Sequence, residues 1–215
     1  MDVNSYMSKD LVTIEAGTKI LDALDLMKKH NIHRLPVVEG DRMIGLVTEG
    51  IISRNTPSTM TSLDMREVTY LLNRTSANDI MEKNVITINK EALLEEAAVN
   101  MRKNAIGVLP VVEGDNKLVG IITEKDIMDA FVDVLGFYTP GVRLVINVPE
   151  DRKGVLEEIT DFFAEAEISI QQIAVYRKDH IQIVIQVDSD DVTGIQKNLE
   201  AQGYNVESIM YKDNQ

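Results

Sequence analysis

The sequence predicts an α+β protein: two β-α-β-β-α repeats packed as a pseudo-symmetric pair, followed by a separate βαββαβ segment. Three observations carry this prediction. The hexapeptide LPVVEG occurs at 35–40 and again at 109–114, which puts Leu35 and Leu109 74 positions apart. The same order of strand-period and helix-period patterns recurs around both copies. After residue 135 the repeat stops and a different alternation of strands and helices takes over.

The repeat aligns at two offsets. Met7 matches Met81, Thr13 matches Thr87 and Pro36 matches Pro110, all 74 apart. After Asp41 and Asp115 the second copy has one extra residue, so Gly45 matches Gly120, Thr48 matches Thr123 and Glu49 matches Glu124, 75 apart. A Gly-Asp hairpin turn is where one inserted residue is most easily tolerated.

Each copy opens with a short β-branched run, 11–14 and 85–88. An amphipathic helix follows, with Ile20, Ala23, Leu24 and Met27 at helical spacing in one copy and Leu94, Ala97, Ala98 and Met101 in the other. Two apolar strands joined by the Glu-Gly-Asp turn come next: 35–38 with 43–47, and 108–112 with 118–122. Thr48 and Thr123 then start a helix as N-cap residues, each with a glutamate directly behind. Between the copies a helix is expected over 63–73, opened by Thr61 with Asp64 three residues on. A lone repeat would leave half its sheet face exposed, and two packed sheet to sheet would bury it. Met7, Met27, Met81 and Met101 are expected in the core.

The third segment begins after Gly136 and the Pro140-Gly141 break. Strands are expected at 143–148, 168–176, 181–187 and 205–209, with helices at 154–166 and 192–202. The first helix carries Val155, Leu156, Ile159, Phe162 and Phe163 on its apolar side. Ile181, Ile183, Ile185 and Val187 alternate along one strand face, and Gly203 stops the last helix. The expected boundaries are 1–60, a connector at 61–74, 75–135, a linker at 136–142, and 143–215.

Composition narrows the function. The chain has 215 residues and 44% hydrophobic content, enough for real cores. It has no cysteine, which removes disulfides and thiol chemistry. Its three histidines, His30, His33 and His180, share no metal-ligand spacing, so no metal site is expected. The net charge of −13 argues against a nucleic-acid partner. No signal pattern or membrane-length apolar run appears, so a cytoplasmic protein without a membrane partner is expected. No Ser-His-Asp or Cys-His set, HExxH motif or Gly-rich phosphate loop is present, so no enzyme activity is expected.

The motifs DIMEKNVITI (79–88), both LPVVEG copies and GIITEKDI (120–127) resemble a tandem pair of CBS domains, a Bateman module, over roughly residues 1–135. That resemblance implies a regulatory module that binds adenine nucleotides (AMP, ADP or ATP) or S-adenosylmethionine between the repeats. Thr123 and Asp126 stand three apart at a helix start, and in the family this pair holds the ribose. A carboxylate accepts bonds from both ribose hydroxyls, whereas Ile51, the equivalent of Asp126, accepts none. One competent site is therefore expected around Thr123 and Asp126. Its walls would come from Val3, Tyr6, Met7 and Ile32, with His33 and Arg34 toward the phosphates, where copy two has Gly107 and Val108.

Residues 141–215 resemble an ACT domain, a module that often binds amino acids beside metabolic enzymes. Its ligand loop would hold Asp151 and Gly154, with Ser169 at the start of the second strand. Lys153 and Ser169 stand where many members have proline and asparagine. The two modules together resemble bacterial acetoin-utilisation proteins. They imply a homodimer, a metabolic enzyme as partner, and a place in carbon metabolism. The alternatives are a ligand-free scaffold and an amino-acid sensor acting through the ACT segment.

Overall fold

The computed structural model describes residues 1–56, 65–177 and 179–212. The chain divides into two compact units, Met1–Ile127 and Met128–Gln215.

The first repeat runs β1 (Ile14–Glu15), α1 (Ile20–His30), β2 (Arg34–Glu39), β3 (Arg42–Thr48) and α2 (Glu49–Asn55). After α3 (Met65–Arg74) and the short α4 (Ala77–Ile80), the second repeat runs β4 (Ile88–Asn89), α5 (Leu94–Asn104), β5 (Val108–Glu113), β6 (Lys117–Thr123) and α6 (Glu124–Val134). The cap expected from Thr61 and Asp64 lies outside the described residues. The division between the units falls within α6.

The helices form where the apolar period demands. Ile20, Ala23 and Met27 are buried on α1, and Leu94, Ala97 and Met101 on α5. Each helix ends on a left-handed residue, Asn31 with φ 53° and Ala105 with φ 52°. Asparagine takes that conformation readily, while alanine pays a Cβ clash of roughly 1 kcal/mol.

The opening strands are shorter than expected and lie later in the chain. Only Ile14–Glu15 and Ile88–Asn89 pair, in parallel, with β2 and β5. The residues ahead of them have another task, for they cross to the opposite repeat. Ser8 bridges Ile121 and Glu82 bridges Leu46. These two bridges are repeat equivalents, as are Asp2 with Leu93 and Lys19 with Ser76. Together they define a pseudo-two-fold relation between the copies.

The repeats meet at an edge as well as across faces. The sheet is continuous in the order β1-β2-β3-β6-β5-β4, and β3 pairs β6 at Arg42 with Lys117. Asn116, the inserted residue, fastens this edge. Its O accepts from Met43 N at 3.0 Å, and its Nδ2 donates to Met43 O at 2.6 Å. Around the seam, Met43, Leu46 and Val108 form a small core with Val85, Leu118 and Ile121. Met81 packs where a Cβ on Gly45 would stand, and Met7 does the same at Gly120. Each glycine thus admits a methionine from the other repeat.

The second unit holds β7 (Gly141–Val148), α7 (Val155–Glu165), β8 (Ile170–Arg177), β9 (Ile181–Val187), α8 (Thr193–Ala201) and β10 (Asn205–Lys212). Its four strands are all antiparallel in the order β10-β7-β9-β8. Leu144, Ile146, Ile183 and Ile185 form one core with Ile159 and Phe163 of α7 and Leu199 of α8. This is the expected split βαββαβ sheet with both helices on one face. Leu156 departs from expectation: it is 43% exposed, because Val155, Ile159 and Phe163 already fill the core-facing stripe.

Candidate functional site

The two threonine motifs fold differently. In copy one, Thr48 is a simple N-cap whose Oγ1 accepts from Ile51 N at 3.2 Å. In copy two, the Asp126 carboxylate reaches back. Its Oδ2 accepts from both Thr123 N and Thr123 Oγ1 at 2.7 Å, while Asp126 N donates to Thr123 Oγ1 at 3.4 Å. That is a reciprocal capping box. Both bonds land on Oδ2, and among the described residues Oδ1 makes no hydrogen bond. The half-buried carboxylate therefore keeps one acceptor oxygen.

A cleft of about 610 Å³ opens on the Thr48 side of the pseudo-axis. Thr48, Glu49, Gly50 and Arg54 form one wall, and Glu82, Asn84, Val85 and Ile86 face them from the other repeat. His33, Arg34, Gly107 and Val108 lie between. The structure thus brings His33 and Arg34 together with Thr48, whereas the sequence places them with Thr123 and Asp126. Residues 33–34 and 107–108 are repeat equivalents and flank the axis. Glu49 N donates to His33 O, and Glu124 N to Gly107 O, as matched pairs.

The axis residues also explain an asymmetry visible in the sequence. His33 Nδ1 lies 2.9 Å from Glu49 Oε2, with both side chains more than half exposed. Its equivalent is Gly107, where a Cβ would stand 3.2 Å from Glu124 Oε2 and 3.5 Å from Arg34 Nη2. The glycine leaves room for the Arg34 guanidinium, which a second histidine would displace.

The remaining expected wall residues sit deeper. Val3 is fully buried, and its N–H donates to Ala92 O at 2.9 Å. Met7 is 9% exposed against Gly120. Both fill the packing between repeats. Tyr6 is half-buried with its hydroxyl 3.3 Å from Met1 Sδ, and Ile32 packs on the first repeat's core. Sequence reasoning missed Gly50, Arg54 and Asn84. The available signal was Arg54, six residues after Thr48 in a basic last turn of α2.

In the second unit, the loop before α7 satisfies its own charges. Asp151 Oδ2 accepts from Arg177 Nε at 3.0 Å. Arg152 binds Glu158 through two 2.6 Å bonds, and Tyr204 donates to the same carboxylate at 2.8 Å. The Arg152 bonds, then the Tyr204 bond, hold Glu158 down to about 2. Gly154 adopts φ 91° and caps α7, and Ser169 is exposed just before β8. Among the described residues, no cluster of three or more His, Asp or Glu side chains is placed to hold a metal ion. No helix among them is long and apolar enough to cross a membrane.

This pseudo-symmetric pair followed by a four-stranded antiparallel sheet defines a class. The CBS domain matches residues 3–55 and 77–133, just over half of the chain, and the ACT domain matches 142–204. The chain belongs to the CBS domain family, with an ACT domain following the pair. It is 33% identical over 134 residues to a CBS domain-containing protein of Dictyostelium discoideum, covering 62% of this chain and 92% of that one. It is 34% identical over 120 residues to the inosine-5'-monophosphate dehydrogenase of Thermoplasma acidophilum, spanning 56% of this chain but only 21% of that enzyme.

Solved structures agree. The CBS pair of protein MJ0100, in complex with 5'-methylthioadenosine and S-adenosyl-L-methionine, matches with TM-score 0.51 and 28% identity, covering 62% of this chain and 97% of that one. CBSX2 in complex with AMP matches at 0.51 and 25%, covering 62% and 97%. A Vibrio cholerae protein assigned to acetoin utilization (AcuB) matches at 0.53 and 27%, covering 64% and 94%.

Proposed function

We propose that this chain is a non-catalytic regulator that binds an adenine nucleotide or S-adenosylmethionine between its CBS repeats. The observation that carries this reading is the Thr123–Asp126 capping box with its spare Oδ1. In this reading Oδ1 takes a ribose hydroxyl while Oδ2 keeps the helix start in place. Arg34, beside Glu124 at the axis, supplies positive charge for a phosphate. Ile51 denies the Thr48 side the same carboxylate. The bound AMP, 5'-methylthioadenosine and S-adenosyl-L-methionine of the similar CBS pairs support this ligand class.

A second reading rests on the cleft of about 610 Å³, which is roomy enough for a nucleotide and lined by His33, Arg34 and Arg54. Here the ligand sits on the Thr48 side. Calorimetry with AMP, ADP, ATP and S-adenosylmethionine separates the two. Asp126→Ala abolishes binding in the first reading, while Ile51→Ala and Arg54→Ala leave it intact. In the second, Arg54→Ala is the damaging change. If none of the four ligands binds the unaltered chain, both readings fail and a ligand-free scaffold is favoured.

We also propose a cytoplasmic homodimer that docks on a metabolic enzyme. Met128, Phe131 and Val134, 59%, 57% and 46% exposed, make an apolar stripe along α6 that supports self-association. Likeness to the acetoin-utilization protein supports a place in carbon metabolism. Sensing of an amino acid through Asp151, Gly154 and Ser169 has weaker support, since Asp151 already pairs with Arg177. Light scattering of Phe131→Glu tests the dimer: a monomer supports the stripe as its interface, and an unchanged mass removes it.

A further inference from the structure

The cleft of about 610 Å³ on the Thr48 side offers hydrogen-bond donors where the Thr123 motif offers an acceptor. The difference starts in the sequence. Ile51, Arg54 and Asn84 line or adjoin this cleft, and their repeat equivalents are Asp126, Asp129 and Asp10. Three acidic positions of one half are apolar, basic and neutral in the other.

The hydrogen bonds follow the same division. In copy two the Thr123 hydroxyl donates to Asp126 Oδ2 at 2.7 Å. In copy one Thr48 Oγ1 accepts from Ile51 N, and among the described residues its own proton has no acceptor. Thr48 thus keeps a donor. Two guanidiniums stand with it. A Cβ at Gly50 would lie 3.7 Å from Thr48 Oγ1 and 4.0 Å from Arg54 Nη1, so the glycine leaves the gap between hydroxyl and guanidinium open. Arg34 Nη2 stands 3.5 Å from the Cβ position of Gly107, the other glycine lining the cleft. Among the described residues neither guanidinium has a hydrogen bond or an ion pair, not even with Glu124 beside Gly107. The acids that line the cleft are engaged elsewhere. Glu49 lies 2.9 Å from His33 Nδ1, and Glu82 Oε1 accepts from Asn84 N at 2.9 Å.

We infer that this cleft recognises a diphosphate group, free or esterified, and requires no ribose diol. Arg34 and Arg54 take the two phosphates, and the Thr48 hydroxyl donates to the one nearer Gly50. The cleft is larger than diphosphate alone, and Val85 and Ile86 give the rest of an ester an apolar wall. The inference rests on the second reading above, which puts the ligand on the Thr48 side, and names diphosphate as the feature recognised there.

Calorimetry on the full chain without divalent cations tests it, with inorganic diphosphate, phosphate, adenosine and ADP as probes. Diphosphate binds about tenfold more tightly than phosphate, ADP displaces it, and adenosine does not. Arg54→Gln weakens diphosphate about tenfold, the scale of one charged hydrogen bond. Ile51→Asp, which restores the carboxylate of the Thr123 motif, removes it. If diphosphate gives no heat while ADP binds in an Arg54-dependent way, the inference is overturned and the reading of the cleft stands. No heat from either sinks both. Displacement of diphosphate by adenosine, or parent-like binding in a well-folded Ile51→Asp, also overturns the inference. The ligand series on the unaltered chain decides the matter even where a variant fails to fold.

Discussion

Met81 Sδ stands 2.5 Å from the point a Cβ on Gly45 would occupy, and Met7 fills the equivalent space beside Gly120. Each repeat keeps a glycine so that the other can insert a methionine. Gly45→Ala forces Met81 from its place and costs about 1–3 kcal/mol by overpacking. Gly120→Ala costs a similar amount. Chemical denaturation of Gly45→Ala with and without Met81→Ala measures the coupling. The double variant loses less than the sum of the singles, and strict additivity would show that the contact is loose.

Ala105 holds a left-handed conformation with φ 52° at the end of α5, where the first repeat has Asn31. Replacing it with glycine removes the Cβ penalty and stabilises by about 0.5–1 kcal/mol. A rise in melting temperature checks this. A fall would mean that the Cβ of Ala105 contributes packing at the cleft it lines.

Two capping boxes separate structure from ligand. Ser76 and Asp79 cap α4 through Oδ2 bonds of 2.8 and 2.7 Å, in the same arrangement as Thr123 and Asp126. Asp79→Ala and Asp126→Ala each cost about 1 kcal/mol of stability. Only Asp126→Ala alters adenosyl binding. Equal binding losses in both variants would assign the effect to folding alone.

Glu158 gives the second unit an acid limb. Its carboxyl is held down to about 2 by Arg152 and Tyr204, against an ordinary 4.5. A depressed folded-state value means the stabilisation is present above about pH 4.5 and fades as pH falls toward 2. The pair is half exposed, so the effect is modest. Melting temperature followed from pH 6 to 2 falls less steeply for Glu158→Gln than for the parent. Identical slopes would show that Glu158 is not coupled to unfolding.

The helices and the central strand pairs were legible because period and turn chemistry act locally. Ile20, Ala23 and Met27, three or four apart, could only mark one helix face. The opening strands were less legible. Residues 11–14 carry β-forming side chains, yet only Ile14 enters the sheet, since Ser8 is drawn to Ile121 of the other repeat. That pull is long-range and leaves no mark in local pattern. The asymmetry between Ile51 and Asp126 was also visible in sequence, and the different caps at the two helix starts agree with it. The grouping of His33 and Arg34 with Thr48 depends on where the pseudo-axis passes, which a linear alignment of repeats does not contain.

Asn116 is the one residue that the second hairpin turn has and the first lacks, and it holds Met43 by both backbone and side chain. Two identical copies would fit a neighbouring molecule as well as each other, and such chains can exchange halves. A fastener carried by one copy alone gives the seam a polarity. Repeat one always offers the receiving edge, and repeat two always offers the hook. The insertion thus turns a duplicated sequence into a lock and its own key, and it favours pairing of unlike repeats over pairing of like with like.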